Sequence, residues 1–234
     1  MSLHDADSSL NWDEIRLVAF DVDGTLYDQR GLRLCMLREM LIASVHQRDI
    51  GFIRILRVYR EIREQLGDSL QEDFERELTF RTAALVGCSE QRVRATAEEW
   101  LERRPLRHLS RYRYPHLPEL FQRLRKHGKT IGIFSDYPAR SKVDALGLCA
   151  DVIVSAGDAD VGVLKPHAKG LHVLMSRAGA GPAETVLIGD RPERDGLAAR
   201  GADVRALIRS RKPLSGWQTF ERYDDPMFAA IGAH

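Results

Sequence analysis

Short apolar runs recur along this chain, and most of them end abruptly at a polar or acidic residue. The runs cover residues 17–20, 130–134, 151–154, 185–188 and 203–208. An unbroken apolar run of this length is typical of a strand buried on both faces of a parallel sheet. Helical periodicity predicts intervening helices at 117–127, 167–178 and 193–200. Strands alternating with helices indicate an α/β fold, a doubly wound, Rossmann-like parallel sheet.

One long segment interrupts this alternation. From about residue 31 to 110 the apolar residues recur at helical spacing, as in the series Leu34, Leu37, Leu41 and Val45, and no convincing strand is present. Ser89 is a suitable N-cap for a helix that runs to about Arg103. Because the segment follows the first strand, it predicts an all-helical cap domain (30–114) inserted into a core domain (1–29 and 115–234). The aromatic residues of 212–234 predict a tail packed on the core or an oligomer contact.

Composition excludes several other classes of protein. A net charge of +1 over 234 residues argues against a strongly basic nucleic-acid or membrane-surface binder. The three cysteines, Cys35, Cys88 and Cys149, have no C-x-x-C spacing, which fits a reducing compartment. No run of about 18 apolar residues and no apolar signal segment is present. We therefore expect a cytoplasmic monomer or homodimer that binds neither nucleic acid nor membrane.

Polar side chains collect where the predicted strands end. Asp21 and Asp23 follow the first strand, Ser135 the second and Asp190 the fourth, while Lys165 lies in the loop after the third. In open α/β sheets, ligands bind at this edge. Several carboxylates there would repel one another, and Mg²⁺, which prefers oxygen ligands, would relieve that repulsion. We therefore expect Asp21 and Asp190 to bind Mg²⁺, with the backbone carbonyl of Asp23 as a third ligand.

Two acids at positions i and i+2 can divide the work of phosphoryl transfer. Asp21 is the expected nucleophile, and it would form an aspartyl-phosphate. Asp23 would protonate the leaving oxygen and then deprotonate the attacking water. Lys165 would supply positive charge to the phosphoryl oxygens, and Ser135 would donate a hydrogen bond to them.

These residues also carry a family resemblance. The four ordered segments Asp21-Val-Asp-Gly-Thr-Leu, the run ending at Ser135, Lys165-Pro166, and Gly189-Asp190-Arg-Pro-Glu-Arg-Asp195 resemble the motifs of the haloacid dehalogenase (HAD) superfamily of hydrolases. The similarity covers about residues 15–210. The inserted helices resemble the superfamily's all-helical (C1-type) cap. Residues 154–166 are similar to the phosphoglycolate-phosphatase-like branch.

The resemblance implies the same roles for the residues at the strand ends. By resemblance, Asp195 would orient Lys165 or a water on the metal, and the motif residues Thr25 and Asp136 are candidate substrate ligands. In the dehalogenases of this family, the acid two residues after the nucleophile is absent, because breaking a carbon–halogen bond requires no protonated leaving group. The presence of Asp23 therefore favours phosphoryl chemistry.

The identity of the substrate is left open by the sequence. The basic stretch Arg103–Arg113 has two interpretations: recognition of a substrate carboxylate or second phosphate, or a charged hinge. A large helical lid favours a small phosphorylated metabolite over a phosphoprotein. Three functions fit: a Mg²⁺-dependent phosphatase, a sugar phosphomutase that uses the same intermediate, and a non-catalytic regulatory protein that binds a phosphorylated ligand.

Overall fold

The computed structural model of the protein describes residues 10–47, 49–69 and 72–232. The expectation that the N-terminus carries no apolar signal segment concerns residues that lie mainly outside these ranges. Within the described ranges, no helix is both long enough and apolar enough to cross a membrane.

A six-stranded parallel sheet forms the centre of the molecule. The strands are β1 (Leu17–Phe20), β2 (Thr130–Ser135), β3 (Val152–Ser155), β4 (Thr185–Gly189), β5 (Arg205–Arg209) and β6 (Gln218–Phe220). Their order across the sheet is β3-β2-β1-β4-β5-β6, and every neighbouring pair is parallel. The predicted α/β fold with a parallel sheet is therefore confirmed.

Strand β1 is buried on both faces because its side chains alternate between two apolar clusters. Leu17 and Ala19 pack into one cluster, and Val18 and Phe20 into the other. Phe20 lies level with residues of β2 and β4. The chain that follows β1 thus emerges between the ends of its two neighbours.

Six α-helices lie between β1 and β2 in the described part of the chain, and the first five precede the return to the sheet. These five are α1 (Gln29–Gln47), α2 (Gly51–Asp68), α3 (Phe74–Val86), α4 (Glu90–Ala97) and α5 (Arg104–Tyr112), with a π-helical stretch at Glu98–Arg103. As expected, Ser89 caps α4, because its hydroxyl accepts a hydrogen bond of 3.2 Å from the Arg92 amide. We call α1–α5 (residues 29–112) the cap and the remaining described residues the core.

The helices of the core flank the sheet. They are α6 (Leu117–Lys126), α7 (Arg140–Ala145), α8 (Lys169–Ala178), α9 (Leu197–Gly201) and α10 (Pro226–Ala229), with short helical turns at Pro182–Glu184 and Pro192–Gly196. In the C-terminal segment, β6 adds a strand beside β5 that the sequence did not predict. Phe220, Tyr223 and Phe228 are buried there. The segment thus packs on the core.

Helix α1 has two apolar faces, and the periodic series noted in the sequence lies on the exposed one. The buried face consists of Leu32, Met36, Met40 and Ala43. The exposed side chains are Leu34 (70%), Leu37 (49%), Leu41 (56%), Ile42 (51%) and Val45 (77%). The 3.6-residue period predicts a helix, but it does not identify which of two apolar faces meets the core.

This contrast predicts different costs for the same truncation at two helical leucines. Leu124→Ala, at a fully buried site in α6, should lower the free energy of unfolding by about 2–5 kcal/mol because it leaves a cavity. Leu34→Ala should change it by no more than about 0.5 kcal/mol. Urea unfolding followed by circular dichroism measures both. Equal losses would contradict the assigned packing of α1.

Candidate active site

Asp21, immediately after β1, is held in place by three hydrogen bonds. Its amide donates to the Ile188 carbonyl at 2.9 Å, which ties the loop to β4. The Thr25 hydroxyl donates to one carboxylate oxygen at 3.0 Å, and Lys165 Nζ donates to the other at 2.5 Å. Burial raises the pKa of Asp21 well above its ordinary value, although Lys165 opposes the shift. Asp21 thus depends on nearby positive charge to stay ionised.

Lys165 lies between two carboxylates. Its Nζ contacts Asp21 and, at 2.7 Å, Asp195 Oδ1. Burial alone would lower the pKa of Lys165, but the charges of Asp195 and Asp21 outweigh it and raise that pKa. The backbone amide of Lys165 donates to Asp136 Oδ1 at 2.9 Å. Lys165 is therefore a fixed cation beside Asp21.

The carboxylates of Asp21, Asp190 and Asp195 form a cluster, with one oxygen of each lying within 4.8 Å of the others. Both oxygens of Asp195 already have partners: Oδ1 accepts from Lys165, and Oδ2 accepts from the amides of Asp190 and Arg191 at 3.1 and 3.0 Å. Asp190 Oδ1, in contrast, is buried without a hydrogen-bond partner. An unpaired carboxylate oxygen beside Asp21 suits a hard divalent cation.

Burial and the charge of Asp195 raise the pKa of Asp190 to about 7. The position of the Asp190 carboxylate explains why residue 24 in the first motif is a glycine. Gly24 has φ +93°, and a Cβ there would overlap Asp190 Oδ2. A glycine at this position therefore satisfies the backbone conformation and leaves room for the carboxylate.

Asp23 does not join the carboxylate cluster; it faces Lys142 of α7. Lys142 Nζ donates to both oxygens of Asp23, at 2.6 and 2.9 Å, and the Tyr27 hydroxyl donates to Oδ1. Burial alone would raise the pKa of Asp23, but the charge and hydrogen bonds of Lys142, with the hydrogen bond from Tyr27, lower it. Asp23 is therefore ionised in this arrangement.

Sequence reasoning missed Lys142 and Tyr27. The sequence predicted one lysine at the site, Lys165, yet the structure brings two lysines to it. Lys142 lies 119 residues from Asp23, and nothing in the local pattern of a short helix shows that one residue turns inward. A buried lysine is recognisable only once its acidic partner is known.

The other predicted ligands lie at the same edge of the sheet. Ser135 ends β2, and its hydroxyl accepts a hydrogen bond from the Tyr137 amide at 3.2 Å. Thr25 is fully buried, with its hydroxyl bound to Asp21. Asp136 holds the Lys165 amide. The roles of these three residues as substrate ligands stay predictions.

Three arginines of the basic stretch Arg103–Arg113 make structural contacts. Arg103 and Arg104 pair with Glu99, and Arg113 donates to the Leu146 carbonyl at 2.5 Å. From the cap, Arg63 of α2 reaches the loop after β2, where it donates to the Asp136 carbonyl; it is 7% exposed. These contacts favour the hinge interpretation of the basic stretch.

The fold and the site together define an α/β protein with a buried aspartate and its lysine partner at the carboxyl edge of a parallel sheet. A family model described as haloacid dehalogenase-like hydrolase matches residues 15–203, and the chain belongs to this family. The predicted family is thus confirmed.

Known relatives agree with this assignment. Phosphoglycolate phosphatase of Vibrio vulnificus is 26% identical over 81% of each chain. Phosphoserine phosphatase of Thermus thermophilus is 28% identical over 56% of this chain and 53% of its own length. The crystal structure of 2-haloacid dehalogenase from Pseudomonas syringae pv. Tomato has the same fold, with a TM-score of 0.65 and 21% identity over 94% of this chain and all of that one.

The raised pKa of Asp190 predicts a pH-dependent stability. Because of this raised pKa, the folded protein binds a proton on the Asp190 carboxylate more tightly than the unfolded chain does. The resulting stabilisation is complete below pH 3.8 and is lost as the pH rises through about 7. In the presence of a chelator, the free energy of unfolding should fall by roughly 1 kcal/mol between pH 6 and 8 because of this group.

Urea titrations of wild type and Asp190→Asn at the two pH values measure this difference. The asparagine variant should lose most of the fall, while Asp160→Asn, at an exposed surface carboxylate, should retain it. An Asp190→Asn variant with the wild-type pH dependence would contradict the assignment.

Proposed function

We propose that this protein is a Mg²⁺-dependent phosphatase that hydrolyses a small phosphomonoester through an aspartyl-phosphate intermediate on Asp21. The observation that carries the proposal is a buried carboxylate paired with Lys165, followed two residues later by a second acid, Asp23. An alcohol leaving group needs a proton, whereas a halide does not. The second acid therefore supports phosphoryl transfer over dehalogenation, and the phosphatase names of the curated relatives agree.

In the first half of the reaction, a carboxylate oxygen of Asp21 attacks phosphorus and the bond from phosphorus to the alcohol oxygen breaks. Asp23 gives a proton to that oxygen. Lys165 stabilises the charge on the phosphoryl oxygens, helped by the Ser135 hydroxyl. In the second half, water attacks phosphorus, Asp23 takes its proton, and the bond to Asp21 breaks, which releases inorganic phosphate.

Asp23 must change its protonation state and its partners during this cycle. In the substrate-free protein its pKa is lowered, and Lys142 holds it as a carboxylate. This is the form required to accept a proton from water. To act as an acid, Asp23 must gain a proton when substrate is bound and weaken its contact with Lys142.

Mg²⁺ fits the carboxylates beside Asp21. Asp190, with its unpartnered buried oxygen, and Asp21 would hold the ion, and the backbone carbonyl of Asp23 is the proposed third ligand. When bound, the ion would supply positive charge to the phosphoryl oxygens. Asp195, whose oxygens are occupied, would act by holding Lys165.

The helical cap and the net charge also bear on the substrate and the location of the enzyme. A small phosphorylated metabolite suits a site covered by a helical cap, because a closed lid would exclude a folded protein. We infer a cytoplasmic enzyme that is a monomer or homodimer and that needs neither nucleic acid nor membrane. The net charge of +1 supports this view.

Hydrolysis of p-nitrophenyl phosphate with and without Mg²⁺ tests the proposal. Wild type should release p-nitrophenol only with the metal, and Asp21→Asn should lower kcat below detection because an amide cannot act as the nucleophile. Asp160→Asn, an exposed surface change, should keep wild-type activity.

Other outcomes would contradict the phosphatase assignment. A phosphomutase would need priming by a bisphosphate and would release no net phosphate from a sugar phosphate. A regulatory protein would bind phosphate without turnover, so that wild type and Asp21→Asn would be equally inactive.

Asp23→Asn should have an effect that depends on the leaving group. An alkyl phosphate needs a proton on its leaving oxygen, so kcat should fall by roughly 10²- to 10⁴-fold. With p-nitrophenyl phosphate, whose leaving group departs without a proton, the loss should be much smaller. Steady-state kinetics on the two substrates measures the difference. Equal losses would count against the acid role.

A further inference from the structure

We propose that Arg194 is a positioning residue that couples the docking of the cap on the core to the placement of Lys165. The proposal rests on the proposed function, in which Lys165 binds the phosphoryl group. Arg194 lies in the helical turn Pro192–Gly196 that follows β4, between the candidate metal ligand Asp190 and Asp195, the partner of Lys165.

The guanidinium of Arg194 joins the loop of Lys165 to the end of cap helix α2. Nη1 donates to the Lys165 carbonyl at 2.9 Å. Nη2 donates to the Glu64 carbonyl at 3.0 Å, to Glu64 Oε2 at 2.9 Å and to Asp68 Oδ1 at 2.7 Å. Arg194 is only 5% exposed, and its bond to the Lys165 carbonyl is buried, so water competes little for that bond.

Lys165 is consequently held at both its backbone and its side chain by adjacent residues. Arg194 binds its carbonyl, and Asp195 binds its Nζ at 2.7 Å. The amide of Lys165 is fixed separately by Asp136. A shift of Arg194 would therefore move the Lys165 backbone relative to Asp21, the partner of its side chain.

The last turn of α2 is shaped for this contact. A Cβ on Gly67 would overlap Arg194 Nη1 and lie 3.1 Å from the Lys165 carbonyl oxygen. Glycine inside a helix is about 1 kcal/mol less favourable than alanine. The close approach of the helix to Arg194 explains why this unfavourable residue is present.

The charges on α2 also favour docking. Asp68 lies in the last turn and Glu64 one turn earlier, where the helix dipole disfavours negative charge, and the last turn has no basic residue. Arg194 and Arg191 supply the missing positive charge from the core; Arg191 binds both Glu64 oxygens at 3.0 Å. Glu64 and Asp68 are themselves largely exposed, so water partly screens each of these ion pairs.

Four single substitutions distinguish the proposed coupling of cap and Lys165 from a general loss of stability. Arg194→Met removes the bridge, and Arg194→Lys keeps the charge but cannot reach all the partners at once. Gly67→Ala keeps every charged group in the chain but places a methyl group against the Arg194 guanidinium, so that the guanidinium or α2 must move and the contact is disturbed. Glu61→Gln is the matched control, because Glu61 lies on the same helix in an exposed pair with Arg57.

Three measurements are made on each variant: thermal unfolding, the Kd of inorganic phosphate by calorimetry, and kcat and KM for p-nitrophenyl phosphate. Arg194→Met and Gly67→Ala should lower kcat/KM and phosphate affinity by roughly 10- to 100-fold while the protein remains folded. Arg194→Lys should recover only part of the loss. The variant with both Arg194→Met and Gly67→Ala should lose no more kcat/KM than the more impaired of the two single variants, since both changes break the same contact. Glu61→Gln should stay within about twofold of wild type, as expected of a surface change.

Hydrogen exchange at the Lys165 amide provides a readout that does not need activity. Coupling predicts faster exchange in Arg194→Met and Gly67→Ala than in Glu61→Gln. If wild type is active but the first two variants keep wild-type phosphate affinity and Lys165 exchange, the coupling is wrong. If wild type neither binds nor hydrolyses phosphate esters while the exchange pattern holds, the proposed function fails and the coupling stands.

Discussion

The ion triad of Lys165 with Asp21 and Asp195 is the interaction on which the rest of the site depends. All three side chains are less than a tenth exposed, and buried charges are tolerated only when they are paired and hydrogen bonded. The three residues follow β1, β3 and β4, so their pairing sets the positions of three loops relative to one another. Removing Lys165 would leave two buried carboxylates without their cation, and breaking a buried ion pair in this way costs about 3–5 kcal/mol.

The order of the strands explains why a cap can be inserted beside this triad. Strand β1 lies between β2 and β4, so the chain leaves the sheet next to Asp21, and after the cap, helix α6 carries it back to the start of the parallel strand β2. The two connections are tied together, since the Asp28 amide donates to the Tyr112 carbonyl at 2.8 Å and the Tyr114 amide to the Leu26 carbonyl at 3.1 Å. Because the two connections between cap and core lie side by side, side-chain contacts such as those of Arg194 with α2 fix the position of the cap on the core.

Local pattern was enough to predict the sheet and the residues at its edge, because a buried strand and the polar residue after it are adjacent in sequence. Contacts between distant segments were not predictable in this way. Lys142 meets Asp23 across 119 residues, and Arg194 meets Asp68 across 126. Helical period did predict α1, but not that Leu34 would face solvent, because burial depends on which of two apolar faces finds a neighbour. Strand β6 is only three residues long and lacks an apolar run.

The near-neutral composition conceals a local imbalance of charge that bears on the metal. Four carboxylates, Asp21, Asp23, Asp190 and Asp195, share the site with two lysines, Lys142 and Lys165. Lys142 pairs with Asp23, and Lys165 lies between Asp21 and Asp195, so the four carboxylates exceed the two lysines by two negative charges. The pKa values of Asp21 and Asp190 are raised, by burial first and by neighbouring carboxylates in addition. This excess favours protonation of the two acids when no other positive charge is present, and one divalent cation would balance it. The same excess that destabilises the ionised site without a metal is therefore what would make it select a doubly charged ion.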